Sequence, residues 1–294
     1  MISIPVKKLQ NGFVMPVFGL GTWMMGGAKE HDLNNDDQVN IAAIKRAIEA
    51  GITLIDTAEN YAQGYCETLV GRAIKDYDRH KLFLVSKADK YHHSPKDLEN
   101  ALETSLKRLD TNYLDLYLLH APSPDIPIEA TMPVLDQLKD KGLIKEFGVS
   151  NFTVKQIKRA QQVAKSKIVV NQLHYNLAIR ECEQAGLVDY CQQNDVLLMA
   201  WRPVQKGFLA NHGIPILDQI CQKYQKTPAQ VAINWLISQP NVVTLSKMDQ
   251  PSHLTENLRA LGWEMEKADI ELLRKEFPNQ QSVSDSVPLK EWTI

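Results

Sequence analysis

Between Thr53 and Gly64 the sequence TLIDTAENYAQG sets a carboxylate and a phenol close together, with an apolar run ending at Asp56 and Tyr61 following in the next loop. Two later apolar runs also end in groups that can hold or move a proton, FLVSK in Lys87 and LDLYLLH in His120. A phenol has a pKa of roughly 10, and an adjacent ammonium favours its anion and lowers that value. A buried ammonium would itself shed its proton unless a carboxylate keeps it charged. Asp56, Lys87 and Tyr61 can therefore form a supported acid, with the His120 imidazole beside it to orient an oxygen. Such a set suits protonation of a carbonyl oxygen while its carbon receives hydride. Taken singly, each residue has an ordinary explanation as a cap, a solvated charge or a loop side chain. Their shared place at the ends of apolar runs is what argues for chemistry.

Those runs are short, apolar and bounded by polar breakers, as strands buried on both faces are. Sites in α/β proteins gather at the carboxyl ends of such strands. Ahead of them, Val6 to Lys8 and Phe13 to Pro16 flank Asn11-Gly12, which predicts a hairpin with a type I′ turn. Next come VFGLGTW, a polar loop from Met24 to Asn35, and a helix over 37–50 whose Val39, Ile41, Ala42, Ile44, Ala47 and Ile48 recur at helical spacing before Gly51. The unit repeats through TLID, KLFLVSK, YLDLYLLH, LIKEFGVS, KIVVNQ, VLLMAW and NVVTLS. Helices are expected near 67–75, 94–109, 128–141, 153–164, 182–193 and 251–261, and from Thr227-Pro228 up to Pro240. Extra helices near 214–224 and 267–276 complete the pattern.

Eight alternating units predict a closed (β/α)8 TIM barrel with an N-terminal β-hairpin and additional helices near the C-terminus. A doubly wound sheet is disfavoured because no glycine-rich dinucleotide fingerprint opens the first unit. No linker interrupts the pattern, so residues 1–294 are expected to form a single domain.

Composition narrows the partners. The 294 residues are 44% hydrophobic and 23% charged with a formal net charge of -2, an ordinary balance for a globular chain and one without the basic excess that nucleic-acid binding requires. MISIPVKKLQNG lacks the apolar core of a signal peptide and no later run approaches a membrane span, so a cytoplasmic protein without membrane association is expected. Cys66, Cys182, Cys191 and Cys221 contain no C-x-x-C pair and read as reduced structural thiols. Two patterns are set aside. Tyr77 and Lys81 have Y-x-x-x-K spacing but fall between a helix and a strand start, and His92-His93 lies in a polar loop without a third ligand, so no metal is expected.

Later strand ends carry groups that could hold a carboxamide, Ser150 and Asn151, then Gln172, and an aromatic, Trp201, that could stack on a flat ring. For Ser150 the competing explanation is a cap on the following helix.

FGLGTW, LIDTAENY, FLVSK, LDLYLLH, GVSNF and VVTLSKMDQPSHLTENL, in this order, resemble the aldo-keto reductases along essentially the whole chain. With its FPNQQSVSDSVPLKEW tail the chain is most similar to a bacterial branch of methylglyoxal and aldehyde reductases. The resemblance implies a TIM barrel that binds NADPH without a Rossmann domain. By motif, Asp56, Tyr61, Lys87 and His120 correspond to the family's catalytic tetrad, with Tyr61 as proton donor. Ser150, Asn151 and Gln172 would hold the nicotinamide carboxamide, Trp201 would stack on its ring, and Gly21, Thr22, Trp23 and Asp56 would lie near the cofactor. Arg202, Pro203, Val204, Lys206, Gly207 and Ser246 would follow its phosphates, and Lys247, Met248, His253, Glu256 and Asn257 would surround the adenosine. Trp23, Tyr61, His120 and Trp292 would wall the substrate pocket.

The chain also departs from the family. Trp201-Arg202-Pro203-Val204 replaces aromatic-Ser-Pro-Leu, Leu245-Ser246-Lys247 replaces Ile-Pro-Lys or Ile-Pro-Gly, and Met248 and His253 stand where a hydroxyl residue and an arginine are usual. An imidazole, neutral above a pKa of roughly 6.5, should hold phosphate less firmly than a guanidinium. NADPH is expected, with NADH as the alternative. The expected activity is NAD(P)H-dependent reduction of small aldehydes or ketones, including α-oxoaldehydes, by a monomer or weak oligomer. A nucleotide-binding regulator with little turnover is the alternative, and an isomerase or aldolase on the same barrel ranks last.

Overall fold

In the computed structural model, which describes residues 3–289, the chain opens with a small antiparallel hairpin of β1 (Val6–Lys8) and β2 (Val14–Pro16). Its turn differs from the expected type I′. Gly12 has φ +91° while Asn11 does not enter the left-handed region, and Leu9 and Phe13 close a three-residue loop with a 2.9 Å bond from Leu9 N to Phe13 O. A turn followed by one left-handed glycine needs a positive φ at only one residue.

Strand and helix then alternate: β3 (Phe18–Gly21), α1 (Asp37–Glu49), β4 (Leu54–Asp56), α2 (Tyr65–Ile74), β5 (Phe83–Ala88), α3 (Pro95–Leu109), β6 (Leu114–Leu119) and α4 (Ile128–Asp140). They continue as β7 (Ile144–Ser150), α5 (Val154–Val163), β8 (Val170–His174), α6 (Glu181–Gln184), α7 (Leu187–Gln193) and β9 (Leu197–Trp201). The described chain finishes with α8 (Pro215–Tyr224), α9 (Pro228–Ile237), β10 (Val242–Ser246), α10 (Pro251–Leu258) and α11 (Lys267–Glu276). Strands β3 to β10 pair in parallel and in chain order, and β10 returns to β3 to close the barrel. The expected fold class is therefore the observed one.

Local chemistry sets most boundaries. Asp36 and Ser94 cap α1 and α3 through their side chains, and Thr153 and Thr227 form reciprocal capping boxes with Gln156 and Gln230 at α5 and α9. The single helix expected over 182–193 is instead two, because Gly186 at φ +72° breaks it between α6 and α7.

Two apolar layers follow from strand alternation. Side chains facing outward pack beneath the helices, while Leu54, Val85, Leu116, Leu118, Val170, Met199 and Val243 fill the barrel interior. Leu9, Phe13 and Met15 of the hairpin join that inner cluster. Gly19 belongs to it too, since a Cβ there would lie 2.4 Å from the Leu54 side chain. Successive inward positions two residues apart turn polar toward the carboxyl end: Leu54 then Asp56, Val85 then Lys87, Leu118 then His120, Val170 then Gln172 and His174. The barrel thus delivers one polar group from each of several strands to a common end.

Candidate active site

At that end the strands surround a cleft of about 830 Å³ whose walls include Asp56, Tyr61 and His120 at one place and Lys247, Glu256 and Asn257 at another. Lys87 lies beneath it, fully buried. Its Nζ is 2.6 Å from Asp56 Oδ1, donates to Thr57 O at 2.8 Å, and reaches the Tyr61 hydroxyl at 3.1 Å. Gln172 Nε2 donates to the other Asp56 oxygen at 2.8 Å. Every oxygen of the buried carboxylate is thereby engaged.

Burial favours a neutral Lys87, but the charges of Asp56 and Tyr61 outweigh it and hold the ammonium above the usual lysine range. Burial pushes the Asp56 carboxyl up, against the opposing pull of Lys87 and Gln172. With the two groups 2.6 Å apart and Lys87 favoured as the cation, the pair is an ion pair. Tyr61 departs from the sequence argument in one respect. Lys87 does draw its pKa down, but burial at the closed end of the cleft is the larger influence and leaves the phenol above its ordinary value.

Around the phenol stand two rings. Trp23 meets Tyr61 edge to face with centroids 4.8 Å apart, and His120 does so at 5.7 Å. Burial, then repulsion from Lys87 and His93, pushes His120 down to about 3, so its imidazole is neutral near pH 7. His120 Nδ1 is buried and has no partner among the described residues.

Ser150 does not cap the next helix, a task that Thr153 performs. Its Oγ donates to Gln172 O at 3.0 Å, and Asn151 Nδ2 donates to both Ser150 Oγ and His120 O at 3.0 Å. Asn151 adopts φ +60°, a conformation asparagine tolerates better than most residues, and so turns its amide back across the strand ends.

Trp201 also lines the cleft, with His174 stacked against it at 4.0 Å and an interplanar angle of 12°. Burial pushes His174 down to about 4, and this neutral ring is held by Ser284 Oγ at 2.7 Å and Gln205 Oε1 at 2.9 Å. After Trp201 the loop takes left-handed φ at Arg202, Gln205, Lys206 and Gly207. Holding three non-glycine residues there stores strain of the kind found at ligand-binding loops. Arg202, Pro203, Val204, Lys206 and Gly207 all line the cleft, and Arg202 Nη1 is buried without a hydrogen-bond partner among the described residues.

At the far wall, Ser246 Oγ accepts from Asn257 Nδ2 at 3.3 Å, and Glu256 accepts from Thr227 Oγ1 at 2.8 Å. Lys247 and His253 are exposed and line the cleft, and Lys247 pairs with Asp249 at 3.0 Å. Gly21 and Trp23 lie on the cleft wall; two of the other expected residues do not. Thr22 is buried behind it and donates to Asp56 O at 2.8 Å, while Met248 turns into the apolar core and is 1% exposed. Trp292 lies outside the described residues.

Asn60, Asp249, Ser286 and Val287 are wall residues that sequence reasoning did not single out. His174 was missed as well, although it follows Gln172 at the inward spacing of two. The His92-His93 pair proves divided: His92 meets Glu59 at 3.0 Å at the surface, whereas His93 is buried rather than solvated. Among the described residues, no helix is long and apolar enough to cross a membrane.

Comparison with known proteins identifies the family. The model of the Aldo/keto reductase family matches residues 17–276. The methylglyoxal reductase YeaE of Escherichia coli (strain K12) is 34% identical over 268 residues, covering 90% of this chain and 92% of its own. The glyoxal reductase of Bacillus subtilis (strain 168) is 34% identical over 266 residues, with 90% of each chain covered. Among solved structures, an aldo-keto reductase from Klebsiella pneumoniae in complex with NADPH aligns with a TM-score of 0.83 at 32% identity, covering 96% of this chain and 98% of that one. The thermostable aldo-keto reductase Tm1743, solved with the inhibitor epalrestat, aligns with a TM-score of 0.88 at 39% identity, covering 92% and 99%.

Proposed function

This chain belongs to the aldo/keto reductase family of NAD(P)H-dependent oxidoreductases, and from that premise we propose that it reduces small aldehydes and ketones, α-oxoaldehydes of the methylglyoxal type among them. The observation that carries the reading is the chain of contacts from Asp56 through Lys87 to the Tyr61 hydroxyl, 2.6 and 3.1 Å long, at the closed end of a cleft. Relatives named as methylglyoxal and glyoxal reductases support the substrate class.

The cleft suits a dinucleotide. Its walls offer the Ser150, Asn151 and Gln172 polar groups and the Trp201 indole, the Arg202 and Lys206 cations, and Lys247, His253, Glu256 and Asn257. Those are respective partners for an amide-bearing ring, an anionic bridge and a phosphorylated nucleoside. The orphaned buried nitrogens of His120 and Arg202 mark where polar ligand atoms are wanted. On this reading the cofactor is NADPH, with NADH the alternative because Asp249 offsets the Lys247 charge.

When bound, the reduced nicotinamide supplies the hydride. Tyr61 supplies the proton: held above the usual phenol value, it is protonated throughout the neutral range. As its O–H bond breaks toward the carbonyl oxygen, the Lys87 ammonium 3.1 Å away stabilises the phenolate left behind. Asp56 keeps that ammonium charged. His120, neutral and on the cleft wall, can donate an N–H to the same oxygen and fix the carbonyl's angle. Trp23 and Met24, both exposed at the mouth, give the pocket apolar walls. On the same reading the enzyme is one functional unit over its whole length, working in the cytoplasm as a monomer or weak oligomer.

The test is NADPH consumption with methylglyoxal and with 4-nitrobenzaldehyde, by the wild type and by Tyr61→Phe. The wild type should turn over both aldehydes and Tyr61→Phe should lose about 10²- to 10⁴-fold in kcat. Tight NADPH binding without turnover of any carbonyl would make the protein a nucleotide-binding regulator instead, and an unimpaired Tyr61→Phe would remove the proton-donor assignment.

A further inference from the structure

The segment after α11 does not trail into solvent. Gln281 pairs with the backbone of Ala178 and Arg180, Ser284 N donates to Glu181 Oε2 at 2.9 Å, and Leu289 N donates to Glu181 Oε1 at 2.9 Å. Between these anchors Ser284 is buried against His174, and Ser286 and Val287 form part of the cleft wall. The turn from 284 to 287 is tightened by Ser284 Oγ, which accepts from the backbone N–H of Ser286 and Val287 at 3.2 and 3.0 Å.

That turn carries Asp285 into the loop after β9. Its Oδ1 lies 3.7 Å from Arg202 and 3.8 Å from His174, and its Oδ2 lies 3.5 Å from Lys206. Among the described residues only Gln205 Nε2, at 3.1 Å, makes a close hydrogen bond to it. Burial holds His174 neutral near pH 7, so the charges that face the carboxylate are Arg202 and Lys206. Both line the same cleft as Trp201 and Lys247.

We propose that Asp285 is a tethered anion that competes with the charged bridge of the bound dinucleotide for Arg202 and Lys206, and so sets cofactor affinity. The proposal rests on the cofactor reading above. Three features support competition over a purely structural role. The ion-pair distances of 3.5 and 3.7 Å are long, and the Asp285 side chain is 35% exposed, so solvent screens the pairs and they are readily exchanged. Arg202 Nη1 remains without a hydrogen bond among the described residues even with the carboxylate beside it, so Asp285 occupies the site without saturating it. The anchors at Gln281, Ser284 and Leu289 do not use the Asp285 side chain, so the tail can stay docked when its carboxylate is displaced.

A tether keeps the carboxylate at high local concentration against any free anion. A small anion must displace it unaided, whereas a dinucleotide is also held at both ends. The displacement cost is the same for both, and only the dinucleotide has contacts at its two ends to offset it.

The experiment titrates NADPH against wild type, Asp285→Asn and Asp285→Glu, following tryptophan fluorescence, and then displaces NADPH with inorganic pyrophosphate. Asp285→Asn should bind NADPH about three- to tenfold tighter, the scale expected for losing partly exposed charge pairs. Pyrophosphate binding should tighten by a similar factor, so that the excess needed to displace NADPH stays close to that for wild type, and Asp285→Glu should resemble wild type. Lys206→Met, placed in both backgrounds, should cost more affinity when Asp285 is already Asn, a coupling that a mere change in folding would not produce. An Asp285→Asn protein that binds NADPH no tighter than wild type, or a Lys206→Met cost equal in both backgrounds, overturns the proposal. A wild type that binds no NADPH removes the cofactor reading and this inference together, whereas the former results leave the cofactor reading standing.

Discussion

Lys87 Nζ sits 2.6 Å from Asp56 Oδ1, with the lysine side chain wholly buried and the aspartate 3% exposed, so neither charge has water to fall back on. Removing one partner leaves the other charged and alone, at a cost of about 3–5 kcal/mol, whereas removing both can be close to neutral. Lys87→Met and Asp56→Asn should each lower the melting temperature markedly, and the double variant should recover most of it. Activity should not follow stability: the double variant lacks the cation beside Tyr61 and should stay about 10²-fold or more below wild type in kcat. Thermal unfolding and single-turnover kinetics on the three proteins measure the two effects apart.

Trp201 offers the cleft an indole backed by His174 at 4.0 Å. If that indole is the surface on which the nicotinamide lies, Trp201→Ala should weaken NADPH by about tenfold and Trp201→Phe by less, the scale of a lost aromatic stack. The change in NADPH fluorescence on binding reports this without relying on the tryptophan removed. Equal affinity across the series would take Trp201 out of the site.

The Lys247–Asp249 pair, 3.0 Å long, bears on the choice between nucleotides. A 2′-phosphate must share Lys247 with a carboxylate that carries like charge. Asp249→Asn should raise NADPH affinity about threefold to tenfold and leave NADH nearly unchanged, since the partly exposed pair is weakly coupled. Comparing the two dissociation constants in both proteins checks the direction. A preference that moves toward NADH would contradict it.

Buried neutral histidines make the fold sensitive to acid. Burial pushes both His93 and His174 down to about 4, against roughly 6.5 in an unfolded chain. Because the folded values are depressed, the unfolded state binds more protons between about pH 6.5 and 4, so stability falls as pH falls through that window. Each histidine should contribute a slope of up to about 1.4 kcal/mol per pH unit there. Melting temperature recorded from pH 8 to pH 4 should drop below about pH 6.5, and His174→Gln should shallow the drop. A flat profile would mean that these imidazoles titrate normally.

Much of this was legible in the sequence, and the reason is the period of two. Leu54 before Asp56, Val85 before Lys87 and Leu118 before His120 are inward-facing neighbours on their strands, so apolar runs that end in polar residues mark the top of a barrel. The same rule, pursued two residues past Gln172, would have reached His174. It fails where alternation stops. Thr22 follows the last residue of β3 and donates back to Asp56 O, and Met248 comes after the end of β10 and turns into the core. Asp285, Ser286 and Val287 belong to a segment with no period at all, positioned by contacts to Glu181 and His174 that lie about a hundred residues away. The broken helix at Gly186 was written in the glycine itself, but its apolar neighbours masked the stop.

The hairpin's Leu9, Phe13 and Met15 join the apolar side chains that fill the barrel interior, leaving this cleft no passage through to the opposite end. Traffic at the cleft is accordingly one-way in and the same way out. On the proposed reading, cofactor and carbonyl therefore share a single mouth above the plug that the hairpin completes.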